Sequence, residues 1–375
     1  MIARRIFTQN YRNLVEGEIE FSDGVNVISG QNGQGKTNLL EALCLFTGVR
    51  SFRGAKNIEL IAKGEKYARM ELGFFAEKRE QNASLVITDK KQATLNGVKL
   101  AAATGFIGKF CAVVFSPDNM SLVKGGSGER RRFIDAAISQ QFPTYPRLLV
   151  EYNRILAQRN AFLKKSASTV GFESMLEIWD ENLAKTGARI SCKRAGYVSR
   201  LVGKTSEIFD GISSGRDFIG LRYSCGYLNP DSVDETAATL KQQLEAHRAS
   251  DLAQGCTNYG AHRDDLIILV NDMAARSYAS QGQKRSCVLA LKLAEASLLE
   301  ESAGERPIAV LDDVMSELDS MRQDYLLNHM NSWQVFISCC DPHTVRGLDK
   351  GRIINVEAGK FSSVNNKAQR INSHE

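Results

Sequence analysis

The chain has 375 residues, 43% hydrophobic and 24% charged, with a formal net charge of +5, which fits two or three folded units of an ordinary globular protein with room for a sizeable core. No apolar run approaches the roughly 20 residues of a bilayer span, and Met1-Ile2-Ala3-Arg4-Arg5 leads into a strand-like pattern without a cleavage site, so no membrane contact is expected and a cytoplasmic location is. Eight cysteines without a Cys-x-x-Cys pair argue against a zinc site or a disulfide framework, and the charge permits an acidic partner such as nucleic acid without requiring one.

From the N-terminus, residues 4–8 and 18–21 read as short strands joined by Gln9-Asn10-Tyr11-Arg12-Asn13-Leu14. Arg12 is either a cation close to bound phosphates or a solvated loop residue, and its spacing does not choose between them. Val25-Asn26-Val27-Ile28-Ser29 reads as a buried strand, and Asn38-Leu39-Leu40-Glu41-Ala42-Leu43 as a helix with its leucines on one face. Between them lie Gly30, Gln31, Asn32, Gly33, Gln34, Gly35, Lys36 and Thr37, a Gly-x-x-x-x-Gly-Lys-Thr loop. Polyphosphate needs several backbone N–H groups turned inward, and the glycines permit that curl. Lys36 is expected to reach the β- and γ-phosphates and Thr37 to put its hydroxyl on Mg²⁺, at a helix N-terminus that favours anions. The pattern predicts a nucleoside triphosphate site.

Residues 47–53 read as loop, and 67–75, 85–88 and 92–98 as antiparallel strands with a hairpin turn at Asn96-Gly97. A strand over 110–115 stops at Ser116-Pro117-Asp118. From Leu122 the chain turns helical and basic, with Lys124 and then Arg130, Arg131 and Arg132. That run is a solvated helix face, a salt-bridging surface for an apposed subunit, or a contact to DNA phosphates. Two amphipathic helices follow, through Leu149 to Leu163 and Leu176 to Ile190, too short for the sustained heptads of a long coiled coil. Strands over 218–227 and 266–270 flank a helix at 237–249. The last dozen residues read as a frayed tail.

Ser280-Gln281-Gly282-Gln283 opens another helix and offers a hydroxyl and free N–H groups to an anion, with no phosphate loop of its own. In the ATP-binding-cassette class that anion belongs to the nucleotide of a second subunit, so Ser280, Gly282 and Gln283 imply a site completed by pairing two identical heads. Ile308-Ala309-Val310-Leu311-Asp312-Asp313 is an apolar strand ending in two acids. Asp312 is placed to bind Mg²⁺ through water, and Asp313 to orient or deprotonate an attacking water. The segment Ile337-Ser338-Cys339-Cys340-Asp341 lacks the switch histidine of many cassette ATPases. The five histidines read as structural or surface residues.

Together these motifs, with Ser316-Glu317-Leu318-Asp319 after the acids, resemble the RecF family, relatives of chromosome-maintenance and Rad50 ATPase heads. The likeness extends through Asn10-Tyr11-Arg12-Asn13, Ser51-Phe52-Arg53, Phe115-Ser116-Pro117, Arg130-Arg131-Arg132-Phe133, Gln158-Arg159-Asn160, Trp179-Asp180 and His262-Arg263-Asp264-Asp265. It implies an α/β fold, a P-loop cassette-type ATPase head with an inserted, mainly helical lobe: 1–115 for the first part of the head, 116–255 for the lobe and 256–375 for the signature and acidic strand.

The resemblance further implies that Lys36 and Thr37 bind phosphate and Mg²⁺, Asp312 holds Mg²⁺, Asp313 replaces the usual catalytic glutamate, and Ser280 meets the partner's γ-phosphate. It implies weak, DNA-dependent ATP hydrolysis by an ATP-dependent homodimer on duplex DNA and single-strand/duplex junctions. RecR and RecO are implied as partners, with help in loading the RecA recombinase at gaps and support of the SOS response. Where the family reads Glu-Asp-Leu after Ser-Pro, this chain has Asp118-Asn119-Met120, which leaves Asp118 without a role. A transporter nucleotide-binding subunit would share the three motifs but is disfavoured by the basic insert, and a structural chromosome clamp by the insert's short helices.

Overall fold

The computed structural model describes residues 1–164, 171–341 and 351–364. The N-terminal segment gives β1 (Ile2–Gln9), β2 (Gly17–Glu20), β3 (Val25–Ser29), α1 (Lys36–Cys44) and the one-turn α2 (Asn57–Leu60). Strands β4 (Ala68–Ala76), β5 (Arg79–Ile87), β6 (Lys91–Leu95), β7 (Val98–Lys99) and β8 (Ala112–Phe115) follow. Helices α3 (Ser121–Lys124), α4 (Ser127–Gln141), α5 (Tyr145–Leu163) and α6 (Phe172–Ser213) lead to β9 (Ile219–Ser224), α7 (Val233–Ala246), α8 (Arg248–Gln254), β10 (Asp265–Val270), β11 (Met273–Ala274) and α9 (Ala275–Tyr278). The last described elements are α10 (Gln281–Ala303), β12 (Ile308–Asp312), α11 (Ser320–His329), β13 (Val335–Cys339), β14 (Arg352–Glu357) and β15 (Lys360–Val364). The tail and His343 fall outside the described residues.

Two compact units result: residues 1–119 with 291–375, and 120–290. The second therefore runs past the boundary at 255 read from the sequence, and Ser280 to Gln283 belong to it. The first unit holds two sheets. One is antiparallel in the order β2-β1-β4-β5-β6-β7, and the other runs β15-β14-β3-β13-β12-β8. In the second sheet β14, β3, β13, β12 and β8 are mutually parallel, with β15 antiparallel at one edge. Parallel strands are buried on both faces, which explains the continuous apolar runs of β12 and β13.

Leu39, Leu40 and Leu43 of α1 join Ile6, Phe46, Met70, Phe74, Val310 and Phe336 in one core cluster. Two side-chain amides, Gln334 and Asn26, are also buried. The Gln334 side chain accepts from Ala3 N–H at 2.7 Å and donates to the carbonyls of Ala3 and Ser22 at 2.8 Å each. Asn26 closes the turn before β3 in the same way, accepting from Ser22 N–H at 2.7 Å. Each thereby satisfies backbone groups that no ladder reaches.

In the second unit, α6 is 42 residues long, about 63 Å at 1.5 Å per residue, and continues 23 residues past Ile190, where the amphipathic reading ended. Its inward face carries Leu183, Gly187, Ile190, Arg194, Leu201, Ile208 and Ile212. Gly187 is needed there, because a Cβ would lie 2.9 Å from Leu240 Cδ2 and 3.2 Å from Tyr152 Cε2. Ser232 caps α7 by accepting from Glu235 N–H at 3.1 Å, with Asp234 and Glu235 in the favourable first turn.

A buried ionic network fixes this unit. Arg159, fully buried, donates to Asp180 and Asp251 at 2.7 Å each and to Thr257 Oγ1 at 2.8 Å. Arg194 pairs with both carboxylate oxygens of Asp135 at 2.8 Å, and Asp264 accepts from Ser191 at 2.6 Å and from Tyr227 at 3.1 Å. His262 accepts or donates at 2.8 Å to Tyr152 and contacts Thr257 O at 3.0 Å, and burial lowers its pKa. Several stretches that carry the family likeness in this half are thus internal ion pairs. Arg159→Ala should leave the buried Asp251 short of its cation and Asp180 with Arg248 alone, lowering the stability of the chain by about 3–5 kcal/mol, read as a shifted urea midpoint, whereas exposed Lys185→Ala should leave the midpoint nearly in place.

Candidate functional site

The parallel register brings the carboxyl ends of three strands together. Asp312 on β12 is paired with Ser338 on β13, and Cys339 on β13 with Ser29 on β3, immediately before the phosphate loop. A P-loop site at such an edge follows from the topology, since ligands in open α/β sheets sit beyond the carboxyl ends of the strands.

The loop itself is shaped by glycine. Gly30 takes φ +151° and Gly35 φ +116°. A Cβ at Gly30 would stand 2.3 Å from Val356 O, and one at Gly35 would stand 2.8 Å from Leu14 Cδ2. Gly35 caps α1 in a left-handed conformation, so the first N–H groups of that helix open toward the loop without intrahelical acceptors. Neighbouring segments brace the loop from outside. Asn13 Nδ2 donates to Gly33 O at 3.1 Å, Gln34 Oε1 accepts from Ala358 N–H at 2.6 Å, and Gly359 N–H donates to Gln34 O at 3.1 Å.

Lys36 is nearly buried, and its ammonium is folded onto the loop, donating to Gly30 O at 2.7 Å and Gln31 O at 3.1 Å. The Cys340 thiol lies 3.8 Å from that ammonium and 3.2 Å from Asn32 Oδ1. Thr37 Oγ1 donates to Asp312 Oδ1 at 2.9 Å, joining residues 275 positions apart. Burial raises the pKa of Asp312, opposed by the hydroxyls of Ser338 and Thr37. These two hydroxyls and the carboxylate form one oxygen-rich edge.

Ser338, which sequence reasoning left without a role, touches both acids. Its hydroxyl donates to Asp312 Oδ1 at 2.9 Å and lies 3.3 Å from Asp313 Oδ1, and its oxygen accepts from Asp313 N–H at 2.9 Å. Asp313 takes φ +51°, an uncommon conformation for a residue with a side chain, and the Ser338 bond holds its N–H there. The signal available in the sequence was only a lone hydroxyl at the end of an apolar strand. Asp319, after the acids, is a helix cap, accepting from Arg322 N–H at 3.1 Å.

Arg12 is committed to Glu41. It donates to both carboxylate oxygens at 2.9 Å, while Tyr11 Oη donates to the same group at 3.0 Å and Ser51 Oγ makes a short bond to it. Glu41 is fully buried on α1, and Arg12 retains 19% side-chain exposure. Arg12 therefore anchors the phosphate-loop helix to the β1–β2 connection.

In the second unit, Ser280 is exposed and forms a reciprocal cap with Gln283. Ser280 N–H donates to Gln283 Oε1 at 2.8 Å, and Gln283 N–H to Ser280 Oγ at 3.2 Å. Gln283 Nε2 donates to Asp217 at 3.0 Å, so its amide is engaged at both ends. The Ser280 hydroxyl keeps its own proton to donate.

The arginine run divides. Arg130 is buried and donates to both oxygens of Asp265 at 2.7 and 2.8 Å. Arg131 donates to Asp264 O at 2.6 Å, and Arg132 extends into solvent beside Glu129. Arg130 and Arg131 therefore tie α4 to β10 and do not present a cationic face, while Lys124 is exposed. Among the described residues no helix is long and apolar enough to cross a membrane.

The model of the RecF/RecN/SMC N-terminal domain matches residues 2–362. The "DNA replication and repair protein RecF" of Caldanaerobacter subterraneus subsp. tengcongensis is 39% identical over 352 residues, covering 92% of this chain and 96% of the relative. The protein of the same description from Syntrophotalea carbinolica is 36% identical, covering 96% and 99%. A solved structure described as the recombination mediator protein RecF-ATP in the RecFOR pathway superposes with a TM-score of 0.89 at 36% identity, covering 97% of this chain and 98% of that one. An Smc head from Pyrococcus furiosus shares the fold at a TM-score of 0.54 and 18% identity. With the glycine-shaped loop, the acidic strand and a full-length match to these proteins, the chain belongs to the RecF family of DNA replication and repair proteins.

Proposed function

We propose that the chain is an ATP-dependent DNA clamp of recombinational gap repair, whose two copies pair around two ATP molecules and separate after slow hydrolysis. The observation that carries this reading is the 2.9 Å bond between Thr37 Oγ1 and Asp312 Oδ1 at the mouth of a loop that has no room for a side chain at Gly30 or Gly35. That oxygen pair fits a hydrated Mg²⁺, and the donor set is hard and oxygen-only, as Mg²⁺ prefers. When bound, the ion would neutralise charge on the β- and γ-phosphates.

For the substrate, Lys36 would exchange its bonds to the Gly30 and Gln31 carbonyls for phosphate oxygens. Asp313 would orient a water on the γ-phosphorus and take its proton as the bond to the bridging oxygen breaks, giving ADP and phosphate. Ser338 would keep Asp313 in its strained conformation throughout. Aspartate in place of the longer glutamate, and the lack of a switch histidine in the segment Ile337 to Asp341, favour slow turnover.

The signature supports pairing. Ser280 belongs to the unit that lacks the phosphate loop, and its exposed cap leaves a donor for an anion supplied by a second copy. RecR and RecO as partners, help to RecA, preference for duplex and junction DNA, and a cytoplasmic setting are part of the same reading, supported by the RecFOR description of the solved relative.

The test uses Lys36→Arg and Asp312→Asn beside wild type. Both variants should fold normally but lose ATP-dependent pairing and ATP-dependent retention on DNA; variants that keep both would overturn the reading. Ser338→Ala should lower ATP turnover about 10- to 100-fold, in the range found when a hydrogen-bond partner of a metal-site ligand is lost, with nucleotide affinity nearly unchanged. Ser338→Thr, which keeps the hydroxyl, should restore most of it, and an unaltered kcat in Ser338→Ala would remove Ser338 from the site.

A further inference from the structure

Of the Arg130 to Arg132 run, for which contact to DNA phosphates was one of three readings, Arg130 and Arg131 bond inward and Arg132 extends into solvent, whereas a longer row of cations lies on α6. Between Glu181 and Glu207 the helix carries Lys185, Arg189, Lys193, Arg194, Arg200 and Lys204 and no acid. At 100° per residue, Lys185, Arg189, Lys193, Arg200 and Lys204 fall within about 100° of one another around the helix. Arg194 lies on the opposite, inward side with Asp135. Lys185, Arg189, Lys193 and Arg200 are exposed and Lys204 is half-buried. The stripe runs about 28 Å along the axis, just under the roughly 34 Å of one duplex turn.

Two glycines sit on this same face. Gly196 and Gly203 are exposed, and a Cβ at either would meet nothing within 4 Å. Glycine inside a helix is destabilising relative to alanine, and in this helix Gly187 has an evident reason, the close approach of Leu240 and Tyr152. Gly196 and Gly203 have no such neighbour in the chain. They leave a shallow groove between cations, where a second molecule's backbone can come close to the helix.

We infer that the Lys185 to Lys204 face of α6 is a docking stripe for the sugar-phosphate backbone of duplex DNA, with the cations on phosphates and Gly196 and Gly203 admitting the strand. This rests on the DNA-binding function proposed for the chain and assigns that binding to a surface. A second copy of the same helix is disfavoured as the occupant, since it would set five like charges against five. A row of cations along one helix face, in a stretch that carries no acid between Glu181 and Glu207, suits phosphates, which are read by charge and not by base edges. Lys185 is shared with Glu181 at 2.6 Å and Lys193 lies over the Phe142 ring at 4.6 Å, so both are held along the stripe.

The test is fluorescence anisotropy of a labelled duplex with a single-strand extension, titrated with the full-length chain in ATP and Mg²⁺ at several salt concentrations. The triple variant Arg189→Gln, Lys193→Gln, Arg200→Gln should bind about 10-fold or more weakly at low salt, and its log K against log salt slope should fall by about 2 to 3, since each lost phosphate contact removes about 0.9. Gly196→Leu with Gly203→Leu keeps the net charge and raises helix propensity, so it should fold at least as well and still weaken DNA binding. Wild-type affinity and slope in the triple variant would overturn the stripe and leave it to an acidic protein surface. Wild-type affinity in the double leucine variant would overturn the close approach. A wild-type chain that binds no duplex at all would instead overturn the function on which the placement rests.

Discussion

The structure depends on one parallel register. Asp312 opposite Ser338, and Cys339 opposite Ser29, bring residues from both ends of the chain to a single sheet edge. Without that register the phosphate loop would be a glycine-rich turn and the two acids a pair of strand-end carboxylates. With it, Thr37, Ser338 and Asp312 share hydrogen bonds of 2.9 Å. Burial of Asp312 disfavours its charge and raises its pKa, and the two hydroxyls counter only part of that penalty. The helix that follows the loop is fixed independently by Glu41, whose buried carboxylate gathers Tyr11, Arg12 and Ser51. Loop and helix are thus held by separate devices, a strand register on one side and a charge pair on the other.

The division of motifs between units gives the architecture its functional sense. The first unit carries the loop and the acids, and the second carries Ser280 with a capped but solvent-facing hydroxyl. A serine cap that is stable by itself and still has a proton to give is suited to meeting a phosphate late, after its own fold is complete. The second unit's interior is unusually ionic, with Arg159, Arg194 and Arg130 each bound to carboxylates. Buried charges of this kind are costly to break singly. Among them Arg130 is a cation for which the sequence left a nucleic-acid contact as one of three readings.

The legible parts were local. The strand, glycine loop and helix from Val25 to Cys44 follow from apolar runs and turn chemistry, and β12 ends at Asp312 as its pattern implies. Asn96-Gly97 forms its expected turn with φ +51° and +79°, but the β4–β5 hairpin turns on Glu77-Lys78 at +53° and +59°, residues with no preference for that conformation, so β5 was read too short. The length of α6 was missed because its exposed face after Ile190 mixes glycine and lysine, which blurs the apolar period. Ser338, the Arg12–Glu41 pair and the inward turn of Arg130 were not legible at all. Each depends on a partner 25 or more residues away, and spacing carries no record of that.

The central claim is that Ser280 completes a nucleotide site on a second copy. The most direct measurement is the mass of the purified chain by light scattering, with and without ATP and Mg²⁺, for wild type beside Ser280→Arg. The account predicts a doubling of mass on adding ATP for wild type alone. An unchanged mass in wild type, or an equal doubling in Ser280→Arg, would contradict it and make the chain a nucleotide-binding protein whose signature helix does something else.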